Sequence, residues 1–199
     1  MGMKAWFDEI RISLLAVLSL AIVLCGIYPL TVWLLNQGLF PGRSNGSLDE
    51  RDGQIIGSSL LSQAFTEPLY FQPRPSAAGQ GHDAVRSGAS NLGPTSRRLG
   101  EMVRRRVDAY RRENGLLRGA LVPADAVTAS ASGLDPHISL TNAFLQAGRV
   151  ARARGLTEAD VRHLVERLRE GRTLGILGEP RVNVLLLNLA LDGVGNGGK

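Results

Sequence analysis

The chain has 199 residues, a net charge of +5 and one cysteine, Cys25. A lone cysteine excludes an intramolecular disulfide and a cysteine-based metal cluster. The arginine clusters lack an interleaved aromatic platform, which argues against a nucleic-acid binder.

No charged residue lies between Ile12 and Leu35, and 24 helical positions there make about 36 Å against a hydrocarbon core of about 30 Å. Fourteen of the 24 are Leu, Ile or Val, which together favour insertion by about 4–8 kcal/mol. Trp6, Tyr28 and Trp33 sit near the ends, as interfacial anchors do. Pro29 is expected to kink the helix without ending it, because a bilayer penalises unpaired backbone groups. A cleaved secretory signal has an apolar run of about 7–15 residues and a small-x-small cleavage site, neither of which fits. A lipoprotein signal wants a small residue before the cysteine, where Leu24 stands. Residues 12–35 are therefore read as an uncleaved transmembrane helix.

Lys4 and Arg11 before the span outweigh Arg43 after it, which places residues 1–11 in the cytoplasm and the domain outside. The segment after Leu35 holds 21 Lys and Arg against 16 Asp and Glu, but long domains translocate largely regardless of charge. Residues 36–53 are rich in Gly, Asn, Ser and Asp and read as a linker, so residues 54–192 make up one soluble domain.

Within the domain, residues 58–65 look like a short amphipathic helix. Tyr70 to Ser76, YFQPRPS, is extended or looped because its prolines forbid a helix. Residues 80–94 are too polar to supply core. Pro94 with Thr95 or Ser96 opens a charged helix that runs to Glu113 and closes at Asn114 and Gly115; its Arg104–Arg106 run reads as a solvated face or a lipid-headgroup contact. Ala126 onward has strand character. Asp135 as N-cap and Pro136 at the first helical position predict a helix to Arg154 with a stop at Gly155, and Thr157 with Asp160 opens a second helix ending near Gly171. Residues 181–192 are apolar enough for a strand or a helix, and Asn183 as a cap favours the helix. The tail, residues 193–199, is glycine-rich and expected to fray.

An enzymatic reading would use His137 and Asp135 with Ser90, Ser130 or Ser132, in a membrane-anchored periplasmic hydrolase. At a helix start, residues two apart diverge around the axis, and no HExxH pattern is present; the GxSxG spacing falls only in the linker, at Gly42–Gly46, and the GxGxxG and GxxxxGK spacings only in the glycine-rich tail, from Gly193. Arg74 between two prolines, Ser90 and Asn91 in a small-residue loop, Asp135 and His137, and Asn183 and Asn188 among aliphatics are the positions that stand out. Each either satisfies neighbouring backbone groups or shapes a surface for another subunit.

Taken in order, five stretches carry a resemblance: YFQPRPSA from Tyr70, SGASNLGP from Ser87, VPADAVTASASGLDPHIS from Val122, RVARARG from Arg149 and LGEPRVNVLLLNLALD from Leu177. With the N-terminal span they make the chain resemble the C subunit of the Kdp-type potassium-transporting P-type ATPase. The resemblance implies a single transmembrane helix plus one mixed α/β (α+β) domain, in a non-catalytic subunit of the inner (cytoplasmic) membrane. Its implied partners are a channel-like potassium-binding A subunit, an ATP-hydrolysing B subunit, a small F subunit and membrane lipid. No tightly bound cofactor is implied; ATP enters only through the partner subunit. Two versions of the role follow: assembly outside the membrane, or a catalytic chaperone that raises the ATP affinity of the B subunit near SGASNLGP. The resemblance also makes Ser19, Gly26 and Pro29 candidates for close contact with partner spans.

Overall fold

The computed structural model describes residues 2–51 and 53–196 and divides into two compact units, Met1–Ser47 and Leu48–Lys199.

The first unit is one helical run, Met3–Leu39, long and apolar enough to cross a bilayer, with its side chains uncovered. It comprises α1 (Met3–Ala21), a π-helical segment (Ile22–Ile27) and α2 (Tyr28–Leu39), followed by a single turn, α3 (Pro41–Ser44). The π segment is the structural answer to Pro29. A proline in an α-helix has no N–H to give and presses its ring on the carbonyl four residues back, here that of Cys25. The wider turn relieves that clash, and the Tyr28 N–H reaches back five residues to the Val23 carbonyl. Thr31 Oγ1 donates to the Ile27 carbonyl at 2.8 Å.

The second unit begins with the antiparallel hairpin β1 (Leu48–Arg51) and β2 (Gln54–Ser58), and residues 36–53, read as a linker, contain the end of α2, the turn α3 and strand β1. Residues 59–96 are largely irregular. The remaining elements are α4 (Arg97–Asn114), α5 (Ala124–Val127), β3 (His137–Ser139), α6 (Leu140–Arg154), α7 (Glu158–Arg167), β4 (Arg169–Glu170), β5 (Arg181–Asn183) and α8 (Val184–Asn196). Strands β3, β5 and β4 form an antiparallel sheet with β5 in the centre. The architecture is a mixed α/β (α+β) domain behind a single N-terminal apolar helix.

Helix ends follow the local signals. Ser96 caps α4 and Gly115 ends it at φ +68°; Thr157 Oγ1 caps α7 through the Asp160 N–H, and Gly155 ends α6 at φ +67°. Other expectations fail where distant chain intervenes. No helix forms at residues 58–65: the Ser62 N–H bonds to the Leu134 carbonyl and the Gln63 side chain to the Ile56 carbonyl. Ala124–Val127 is one helical turn, with the Thr128 hydroxyl folded back on the Ala124 carbonyl, and the expected strand there is absent. Asp135 does not open α6. Residues 137–139 are recruited into the sheet by β5, and Ser139 caps the helix by accepting from the Asn142 N–H. The α7 helix stops at Arg167 because Arg169 and Glu170 pair with β5. Residues 181–192 are strand first and helix after, and α8 carries into the expected tail as far as Asn196; residues 197–199 lie outside the described residues.

Two strand–helix units thus meet in the sheet. In each, an acidic residue and a proline (Asp135–Pro136, Glu179–Pro180) lead into a three-residue strand whose last residue caps the next helix: Ser139 Oγ from Asn142 N–H, Asn183 Oδ1 from Leu186 N–H at 3.2 Å. The register pairs His137 with Asn183, Ile138 with Val182 and Ser139 with Arg181, so a local two-fold passes through the buried Ile138–Val182 pair. The core packs Ile138 and Val182 against Ala143, Ala147 and Val150 of α6, Val161 and Val165 of α7, and Leu187 and Leu191 of α8.

Gly133, at φ +69°, lets three loops converge. A Cβ there would lie 2.6 Å from the Gly88 carbonyl oxygen and 2.7 Å from the Ala78 nitrogen, both backbone atoms. Gly133→Ala is therefore expected to destabilise the domain by roughly 2–4 kcal/mol, combining backbone strain with displaced loops. Circular dichroism melts in detergent would check it; an unchanged midpoint would contradict the packing.

Candidate functional site

Tyr70–Gln72 is the organising segment. Pro68, Pro73 and Pro75 keep it extended, and among the described residues no strand pairs with it. In an extended chain consecutive residues turn their N–H and C=O to opposite edges. Phe71 turns them to α8, where the buried Asn188 accepts from its N–H at 2.8 Å and donates to its C=O at 2.9 Å. Gln72 turns them to α6, where the buried Gln146 accepts from its N–H at 2.8 Å and donates to its C=O at 3.1 Å. Two side-chain amides replace two neighbouring strands.

Gln146 stands in a longer chain of buried polar groups. Its Nε2 donates to Asn142 Oδ1 at 2.9 Å, which also accepts from the Tyr110 hydroxyl at 2.8 Å. Asn142 Nδ2 reaches Asp125 at 3.0 Å, and Asp125 also accepts from the Ser139 N–H and hydroxyl. At the other end Arg149 Nη2 donates to Gln146 Oε1 at 2.8 Å, Nε to Asn114 Oδ1 at 3.0 Å, and Nη1 to the carbonyls of Pro68 and Tyr70. Burial lowers the Arg149 pKa, and burial followed by the Asp125 charge raises that of Tyr110. The sequence reading passed over this set. Its signal was there: Asn142, Gln146 and Arg149 recur at spacings of four and three on one helical face, among alanines and valine.

Where the proline-flanked segment leaves the core, a half-buried charged cluster forms. Arg74 Nη1 donates to Asp135 Oδ2 at 3.0 Å, and the His137 N–H donates to Asp135 Oδ1 at 3.0 Å. The His137 ring places Nδ1 3.4 Å from Asp135 and Nε2 3.4 Å from Glu170, whose other oxygen accepts from Arg181 Nε at 3.1 Å. Arg74, Asp135 and His137 thus come together, joined by Glu170 and Arg181, which sequence did not single out. Asn183 is buried, donating to the Ser59 carbonyl at 2.7 Å, and Asn188 holds Phe71. Ser90 and Asn91 stand apart on an exposed loop, Asn91 at φ +51°.

The expectation that Asp135 and His137 diverge is corrected, because His137 lies in a strand rather than a helix. The contact is nonetheless unsuited to activating a serine: both ring nitrogens face carboxylates, and among the described residues no serine hydroxyl hydrogen-bonds His137. Ser62 Oγ does meet a histidine, His82 Nδ1 at 2.9 Å, but that serine is buried. Arg74 and Arg181 counter the carboxylates beside His137, so the cluster is an ion network tying the segment from Tyr70 to the strand edge.

A second exposed feature follows β4. The Thr173–Leu177 bridge closes a small hairpin, Leu174 adopts φ +55°, and Arg172 forks onto Glu179 at 3.1 and 3.0 Å at its base. Leu174 and Ile176 are 85% and 75% exposed at the tip.

Burial alone would raise the Asp135 pKa, but hydrogen bonds from His137 and Arg74, with the guanidinium charge, bring it down to about 2 from an ordinary 3.8. A carboxylate stabilised in this way contributes fully above about pH 4 and loses that contribution as pH falls towards 2. Asp135→Asn is expected to cost about 1–2 kcal/mol at neutral pH, discounted for the group's partial exposure, and to flatten the acid limb of the stability profile. Melts from pH 7 to pH 2 read both; a parallel acid limb in wild type and variant would refute the assignment.

Comparison with known proteins places this architecture. The family model described as "KdpC: K+-transporting ATPase, c chain" matches residues 10–193. A potassium-transporting ATPase KdpC subunit of Nitratidesulfovibrio vulgaris is 54% identical over 189 residues, covering 94% of this chain and 95% of the relative. That of Mycobacterium tuberculosis is 54% identical over 179 residues, covering 89% and 95%, and that of Rhodospirillum rubrum 58% over 165, covering 83% and 85%. The chain belongs to the KdpC family, the c chain of the K+-transporting ATPase.

Proposed function

We propose that this chain is the non-catalytic accessory subunit of an ATP-driven potassium import complex. It assembles and stabilises the channel-like potassium-binding subunit and the ATP-hydrolysing subunit, with the small F subunit beside them, from the outer face of the cytoplasmic membrane. The observation that carries the reading is the hairpin at residues 173–177. A protein seldom holds leucine at positive φ and exposes it beside isoleucine unless something covers them, and the fork between Arg172 and Glu179 presets the shape. Internally matched charges at its base favour an apolar protein surface as the occupant.

Outward placement rests on the charges flanking the span, and it separates the chain from cytoplasmic ATP. The loop around Ser90 and Asn91 has no lysine to cradle phosphate, and the only lysines in the chain are Lys4 and Lys199. The chain therefore assists catalysis by holding its partners in place, without touching nucleotide.

Two outcomes test this. Ile176→Asp, on an exposed side chain, is expected to reduce co-purification with the larger subunits severalfold while leaving the melting temperature unchanged; unaltered stoichiometry in detergent would remove the hairpin from the interface. In a Cys25→Ser background, Val85→Cys should react with a membrane-impermeant thiol reagent in intact cells. Reaction only after lysis would put the domain in the cytoplasm.

A further inference from the structure

The positive charge of the chain is concentrated in one place. Residues 97–118 hold eight arginines against Glu101, Asp108 and Glu113, an excess equal to the +5 of the whole chain. Elsewhere many arginines pair with a carboxylate: Arg74 with Asp135, Arg154 with Asp192, Arg162 with Glu158, Arg172 with Glu179 and Arg181 with Glu170. Among the described residues, none of the eight from Arg97 to Arg118 forms an ion pair. Three of them spend N–H groups on neutral backbone instead: Arg105 on the Glu101 carbonyl, Arg106 on that of Val127 and Arg111 on that of Ala120. Their charge stays uncompensated.

At the C-terminal end of α4 this excess meets exposed apolar groups. Arg111, Arg112 and Arg118 line one cleft with Asp108 and Leu116. Arg111 holds the following loop against the helix, donating Nε and Nη2 to the Ala120 carbonyl at 3.0 and 2.7 Å. On that loop Leu117 is 84% and Leu121 90% exposed. Leucines at a loop tip, rimmed by unmatched arginines, fit the boundary between lipid headgroups and acyl chains, where guanidinium meets phosphate and leucine enters the apolar layer. The hairpin at residues 173–177 exposes as much apolar surface without free charge, so it lacks the attraction to an anionic bilayer. An acidic protein surface would also match the arginines. The bilayer is favoured because the domain is covalently tethered to a membrane-crossing helix, which keeps lipid at high effective concentration.

We propose that the C-terminal end of α4 and the loop after it dock on the anionic phospholipid headgroups of the membrane, with Arg112 and Arg118 on phosphate and Leu117 and Leu121 in the headgroup–acyl boundary. This holds whichever side of the membrane the domain occupies and whichever subunits it assembles with.

The test uses the full chain in nanodiscs, carrying Cys25→Ser and a spin label on Leu117→Cys. In discs of equal parts phosphatidylglycerol and phosphatidylcholine, the label is expected to collide with oxygen severalfold more than with a water-soluble nickel chelate; in phosphatidylcholine alone the preference reverses. Adding Arg112→Glu with Arg118→Glu should weaken docking by about fivefold or more per arginine and return the label to water in mixed discs. A label that stays in water in phosphatidylglycerol discs overturns the proposal. So does a label shielded from both reagents only when the larger subunits are added, which would assign this surface to a protein partner.

Discussion

Everything in the domain is arranged around the backbone of two residues. Phe71 and Gln72 belong to a segment that its prolines prevent from becoming a helix and with which, among the described residues, no strand pairs. Buried, its four polar groups would cost several kcal/mol if left unpaired. Asn188 and Gln146 satisfy them from opposite sides, and the two helices bearing those amides are thereby fixed on either edge of one extended chain. Arg149 then secures the carbonyls just before the segment, and Arg74 the position just after it. Phe71 itself, fully buried, is the side chain this arrangement delivers to the core.

Such a device is costly to disturb by halves. Gln146 serves Gln72, Asn142 and Arg149 together, so removing it would leave a buried guanidinium and a buried backbone pair short of partners at once. The arrangement keeps a cation in the interior with amides and carbonyls as its neighbours, and Asp125 accepts from the far end of the same chain of amides. A network whose inner links are neutral specifies one geometry, and through Tyr110 and Asn114 it also holds the end of α4 from which the basic loop departs.

How much could be read from sequence followed how local the cause was. Both ends of α4, the C-terminal end of α6 and the start of α7 were legible because serine, threonine and glycine act within four residues. Asp135 misled for the opposite reason: Asp–Pro is a sound helix opening locally, but residues 137–139 are claimed by a strand more than forty residues away. That strand was half visible, since residues 181–192 were read as strand or helix, with Asn183 as a cap favouring the helix; both descriptions hold in succession. Arg74, Asp135 and His137 stood out as unusual, yet their partners Glu170 and Arg181 look like ordinary surface charges until the sheet forms. Asn142, Gln146 and Arg149 were the readable omission, three polar residues on an apolar face.

The π turn at Ile22–Ile27 has a consequence for neighbouring helices. A π segment amounts to one extra residue in an α-helical lattice, so side chains beyond it are rotated by about 100° from where an unbroken helix would put them. Ser19 and Gly26, on one stripe of a uniform helix at a spacing of seven, therefore do not share a longitude with residues counted onward to Trp33. A straight neighbour that follows the lower half of this helix leaves its seam at the turn, and the upper half offers its contacts to something else.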